Sequence, residues 1–132
     1  PKFQGIKQVL NIDEQGLNLE CRLPEISAAE QGQFSTQDFN PFATDLAFQA
    51  MLIWAWRFHQ SGSLPLKTDL LEHFRKVPFE TRFYLSMSVK KSSSTVLNAN
   101  LFLYDEQGLM YSRMTGAEVT LSQSLNALFG KQ

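Results

Sequence analysis

The sequence predicts an α+β domain in which one antiparallel sheet curls around a single long, buried helix. Three observations lead there. A nearly unbroken apolar run extends from Phe42 to Trp56, two strand-like runs precede it, and about four extended runs follow it. A helix apolar all round has no face to give to water and must be surrounded by protein. When only strands are available to do this, an antiparallel sheet curled around the helix is one solution, the hotdog architecture.

The first pair of strands runs from Ile6 to Asn11 and from Leu17 to Leu23. In the second run Leu17, Leu19, Cys21 and Leu23 alternate with Asn18, Glu20 and Arg22, giving one buried face. Asn11 to Gly16 between them is turn-rich, with Gly16 available for a positive φ, so the pair reads as a hairpin. Pro24 ends it. Residues 25–39 are polar and irregular and read as a surface loop leading to the helix. Asn40 suits an N-cap and Pro41 the first helical position, where its missing N–H costs nothing. The helix is expected to end near Phe58, before the breaker Ser61-Gly62-Ser63.

Beyond it, Leu64 to Val77 is a long extended candidate. Thr81 to Lys90 places Phe83, Leu85, Met87 and Val89 on one face, and Thr95 to Tyr104 places Leu97, Ala99, Leu101 and Leu103 inward. Asp105 to Gly108 is a turn, and a last strand runs from Leu109 to about Leu121. Ser124 to Phe129 is expected to add a short terminal helix.

Composition narrows the function classes. The chain has 132 residues, enough for one domain with a real core, and is expected to be a single domain over 1–132. A formal net charge of −1 offers no electrostatic footprint for nucleic acid or for an anionic membrane. Its one cysteine, Cys21, rules out an internal disulfide, fits a reducing, cytoplasmic compartment and reads as a small buried hydrophobe. His59 and His73 are far apart and lack ligand neighbours, so no metal site is expected. No signal peptide or transmembrane run is present. The chain begins at Pro1 rather than Met, which leads to the expectation that it is excerpted from a longer polypeptide.

Within the apolar run stand one carboxylate, Asp45, and one amide, Gln49, four residues apart and so on the same helix face. Such a carboxylate either interacts with the helix N-terminus or does chemistry. Gln49 serves equally as a satisfied core amide or as its partner. Trp54 and Trp56 read as core or interface packing.

Three stretches resemble the dehydratase domains of modular polyketide synthases and polyunsaturated-fatty-acid synthases. Pro1-Lys2-Phe3-Gln4-Gly5-Ile6 is similar to the end of the family's Gly-Tyr-Gly-Pro-x-Phe-Gln-Gly segment. Asn40-Pro41-Phe42-Ala43-Thr44-Asp45-Leu46-Ala47-Phe48-Gln49 resembles its His-Pro-x-Leu-Leu-Asp-Ala-x-x-Gln stretch, with Asn40 and Thr44 departing from it. Phe83 to Val89, Leu97 to Asp105, Gly108 and Gly116 follow its closing strands. In that family each domain is two hotdogs in tandem, and this chain looks like the second, C-terminal one. The family's catalytic histidine, in a His-x-x-x-Gly-x-x-x-x-Pro motif of the first hotdog, has no counterpart here.

The resemblance implies half of an active site for removing water from a β-hydroxyacyl thioester, a reaction that needs a base and an acid. The base would be the histidine of the preceding hotdog and the acid Asp45, with Gln49 as its partner. An Asp among Phe42, Leu46 and Phe48 is expected to be desolvated, which favours the protonated donor, while the helix N-terminus favours the carboxylate. Phe42 and Phe48 are candidate walls of an acyl tunnel, and Phe3 and Gln4 are expected at the seam between hotdogs. No cofactor is implied: the substrate would arrive on the phosphopantetheine arm of an acyl carrier protein. Two alternatives stay open. One is a non-catalytic pseudo-dehydratase half serving packing, dimerisation or carrier-protein docking. The other is a stand-alone hotdog thioesterase or acyl-binding protein, working as a homodimer.

Overall fold

The Asp13 carboxylate accepts the backbone N–H groups of Gln15 and Gly16 at 2.8 and 3.2 Å, which turns the chain back on itself. This joins β1 (Ile6–Asp13) to β2 (Gly16–Arg22) as an antiparallel hairpin. The computed structural model describes residues 5–23 and 41–122. The expected surface loop over 25–39, the Asn40 cap and the terminal helix at Ser124 to Phe129 lie outside the described residues.

Gly16 is needed for a different reason from the one its turn position suggested. A Cβ there would stand 1.9 Å from the Met87 carbonyl oxygen of a neighbouring strand, so only glycine permits the two backbones to pair. That strand is β4 (Arg82–Ser92), followed by β5 (Val96–Tyr104) and β6 (Met110–Ser122). The alternation read from sequence holds on β2, β4 and β5. Leu17, Leu19 and Cys21, then Phe83, Leu85 and Met87, then Leu97, Ala99, Leu101 and Leu103 are all buried. Burial pushes the Cys21 thiol up to about 12, with Glu20 adding to the shift, so it is a packing residue and not a nucleophile.

The helix α1 (Pro41–His59) spans the expected residues. It ends at Gln60, which takes a left-handed conformation with φ of 53°. Gln60 and Ser61 donate their N–H groups to the carbonyls of Trp56 and Ala55, closing the last turn. The chain then enters β3 (Gly62–His73) directly. Among the described residues the sheet has six strands in the order β1-β2-β4-β5-β6-β3, with every neighbouring pair antiparallel. β3 therefore crosses to the far edge, where among the described residues it pairs with β6 alone.

The helix is not apolar on all sides to its surroundings, as its composition had suggested. Leu46, Ala47, Ala50, Met51, Trp54 and Ala55 are buried against the sheet. Asp45 and Trp56 are exposed, and Gln49 and Leu52 are half-buried. Apolarity alone had hidden this asymmetry, because Leu52 and Trp56 are as hydrophobic as the residues that pack.

The edge strand β3 is exposed over most of its length and carries exposed Leu64, Leu66, Leu70 and Leu71, with Phe74 just beyond it. Leu71 pairs with buried Met114 and so lies on the core side of the sheet, yet it is 48% exposed. A long strand edge with this many open leucines is a pairing hazard unless something covers it.

Candidate functional site

Asp45 stands in the second turn of α1, and the first turn contains no acidic residue. Its carboxylate Oδ2 accepts the Gln49 Nε2–H at 2.8 Å. The i, i+4 geometry of the helix brings the two side chains together without help from any other element. The desolvation expected of Asp45 from its apolar sequence neighbours does not occur in this chain. Leu46 points into the core and Phe48 packs half-buried against it, which leaves Asp45 facing outward. Leu46, one position on, is turned about 100° around the helix from Asp45, and Phe48, three on, packs toward the core, so neither covers the carboxylate.

Gln49 is oriented by its neighbour. Donating to the carboxylate leaves its carbonyl oxygen Oε1 buried with no protein partner. A buried amide oxygen without a donor is an uncommon and costly arrangement, which a bound hydroxyl or water relieves. Asp45 and Gln49 together thus place one carboxylate on the outward side of the helix, with one unfilled acceptor buried beside it.

Of the other residues named from sequence, Phe48 is on the adjoining side of the helix, partly buried. Phe42 lies within α1, its side chain outside the described residues, as are Phe3 and Gln4. Trp54 is core, as expected. Its indole N–H donates to the Asp13 carbonyl at 2.8 Å, pinning the helix to the first hairpin turn. Trp56 is not core: it is 44% exposed, against 2% for Trp54. With Leu52 it continues the Asp45–Gln49 face at positions i+7 and i+11, a spacing legible in the sequence once the outward face is known.

An open groove of about 490 Å³ lies between the first hairpin turn and the helix end, lined by Ile12 to Gln15, Arg57 and Phe58. Arg57 is about 18 Å along the helix from Asp45, so this groove does not belong to the Asp45–Gln49 pair. Among the described residues no cluster of three or more His, Cys, Asp and Glu is placed to hold a metal ion, and no helix is long and apolar enough to cross a membrane.

A six-stranded antiparallel sheet in this order, with one long helix against its face, is the hotdog fold. The comparisons agree. The dehydratase domain from the CurJ module of the curacin polyketide synthase superposes with a TM-score of 0.72 at 17% identity, covering 92% of this chain and 43% of that one. A Streptococcus mutans protein bound to acetyl CoA superposes equally well, at 0.72 and 5% identity, over 93% of both chains. At such identities these show the fold alone.

Sequence gives the family. The model of the polyketide synthase dehydratase N-terminal domain matches residues 1–127, and the chain belongs to that family. It is also 32% identical over 114 residues to a polyunsaturated fatty acid synthase polypeptide of a Thraustochytrium species. That match spans 84% of this chain and 4% of the synthase polypeptide. The family model's description speaks of an N-terminal domain, whereas the Asp45 motif pointed to the C-terminal hotdog.

Proposed function

We propose that this chain is the aspartate-bearing, C-terminal half of a double-hotdog dehydratase, eliminating water from a β-hydroxyacyl thioester held on an acyl carrier protein. The observation that carries the reading is the Asp45–Gln49 hydrogen bond on an outward helix face. A carboxylic acid there is placed to protonate a leaving hydroxyl that arrives from outside this chain, and Gln49, bonded to that acid, is placed to hold it in position. The base would be a histidine of the preceding half, since His59 and His73 lie beyond the site, at the end of the helix and at the end of β3.

Two further features support a missing second half. The curacin dehydratase domain is more than twice as long as the part this chain covers, which leaves room for another unit of equal size. The exposed leucines of β3 offer that unit an edge to extend and an apolar surface to bury. The C-terminal assignment rests on the Asp-x-x-x-Gln motif and on the lack of a His-x-x-x-Gly-x-x-x-x-Pro motif, against the family model's description. Further members of the working assembly would be the carrier protein and the other domains of one synthase polypeptide. No bound cofactor is required.

The test is water loss from a β-hydroxyacyl thioester on carrier protein, followed by intact mass, using this chain together with its native neighbouring segments. Wild type should turn over. Asp45→Asn should lose at least about a hundredfold, the scale of general acid catalysis, and Gln49→Ala should lose less. A folded wild type inactive across several acyl lengths would support the pseudo-dehydratase reading instead.

A further inference from the structure

Asp45, Gln49, Leu52 and Trp56 fall at i, i+4, i+7 and i+11, on one side of α1. The polar pair occupies one end of this stripe and two large apolar side chains the other. None of the stripe residues after Asp45 is charged. Trp56 is 44% exposed although it sits two residues from fully packed Trp54, and Leu52 is half-buried beside buried Met51. Burying these two on the sheet side would have cost nothing in composition, so their outward placement leaves a strip of apolar surface continuous with the reactive carboxylate.

We infer that Leu52 and Trp56 are specificity-determining residues, forming the wall along which the acyl chain of the carrier-bound substrate lies. The inference rests on the dehydratase reading above. With 1.5 Å of rise per residue, Leu52 is about 10 Å and Trp56 about 16 Å from Asp45 along the helix axis. A hydroxyl held at Asp45 and Gln49 fixes the third carbon of the chain there. A short acyl chain then ends before Leu52, and a long one runs past it to the Trp56 ring. The strip thus rewards chain length, because each further methylene covers apolar surface otherwise left to water.

The experiment uses the whole synthase polypeptide that carries this chain. The kcat/KM for dehydration is compared for β-hydroxybutyryl and β-hydroxyhexadecanoyl thioesters on the carrier protein, by intact mass. For Trp56→Ala the long-to-short ratio of kcat/KM should fall about tenfold, the scale set by losing roughly 50 Å² of apolar contact. Trp56→Phe should restore most of that ratio. Leu52→Trp, which fills the strip midway, should depress the ratio at least as far.

An unchanged ratio in all three variants overturns the inference and leaves the dehydratase reading intact. So does an equal loss for both substrates accompanied by a lower melting temperature, which is the mark of a face covered by protein packing. No turnover by the wild type at either length overturns the dehydratase reading and the acyl wall with it.

Discussion

The two faces of α1 are built from almost the same kinds of residue and meet different surroundings. One face, Leu46, Ala47, Ala50, Met51, Trp54 and Ala55, is sealed against the sheet. The other, Asp45, Gln49, Leu52 and Trp56, stands partly or wholly open. Small residues separate them in kind: three of the six sealed positions are alanines, which let the helix backbone approach the sheet closely, and none of the four open ones is. The open face carries bulk that is left partly uncovered. In a chain folded for its own sake that is wasted hydrophobic surface; in a half-site it is surface held for a substrate or a second unit.

The sharpest way to break this comparison is to truncate one residue on each face, two positions apart. Met51→Ala removes a fully buried side chain and should destabilise the chain by about 2–5 kcal/mol in urea unfolding. Gln49→Ala, which removes an unsatisfied buried oxygen along with one exposed hydrogen bond, should stay within about 1 kcal/mol. Equal costs would mean that the boundary between the faces is drawn in the wrong place.

The tryptophans test it again with a smaller effect. Trp54→Phe keeps most of the ring but takes away the donor to the Asp13 carbonyl, for a loss of about 1–2 kcal/mol. Trp56→Phe should change stability by no more than about 0.5 kcal/mol. If the two substitutions cost the same, Trp56 is packed and the open face is shorter than described.

Much of this was legible in the sequence, for reasons that differ by element. β2, β4 and β5 alternate strictly, because each has one face on the core and one on water, and that contrast is what periodicity detects. The helix span was legible from Pro41 and the apolar run. Which of its sides is open was not, because Leu52 and Trp56 erase the contrast between faces. Strand order was also hidden: nothing local says that β3 crosses to the edge beside β6, since that is decided by pairing between distant segments. The site was half legible. Spacing brought Asp45 and Gln49 together, but the expectation of a desolvated Asp45 treated chain neighbours as spatial ones. The need for Gly16 came from the Met87 carbonyl of another strand, which no reading of the turn alone supplies.

The smallest expected effect concerns how the open edge is held. Beyond β3, Phe74 and Arg75 donate their N–H groups to the Tyr111 carbonyl, and the Arg75 guanidinium bonds the Asp105 carboxylate, the Leu109 and Met110 carbonyls and covers the Tyr111 ring. Arg113 bonds Glu72 across the β3–β6 pair at 2.6 Å. That bond holds the Glu72 carboxyl below its ordinary 4.5 despite some desolvation. Burial pushes Asp105 up, but Arg75 and the Leu109 and Gln107 N–H groups outweigh it and hold the carboxyl below 3.8. Both carboxyls are depressed, so the stability they contribute is full above these ordinary values and is lost as pH falls through the folded ones. The sealed face of α1 has no such groups. Hydrogen-exchange protection at Phe74 and Arg75 should therefore fall on acidification below about pH 4.5 while that at Ala50 to Ala55 holds, and the difference should shrink in high salt, which screens exposed pairs. Uniform loss of protection along the chain would show that the edge is held by strand pairing alone and opens only with the core.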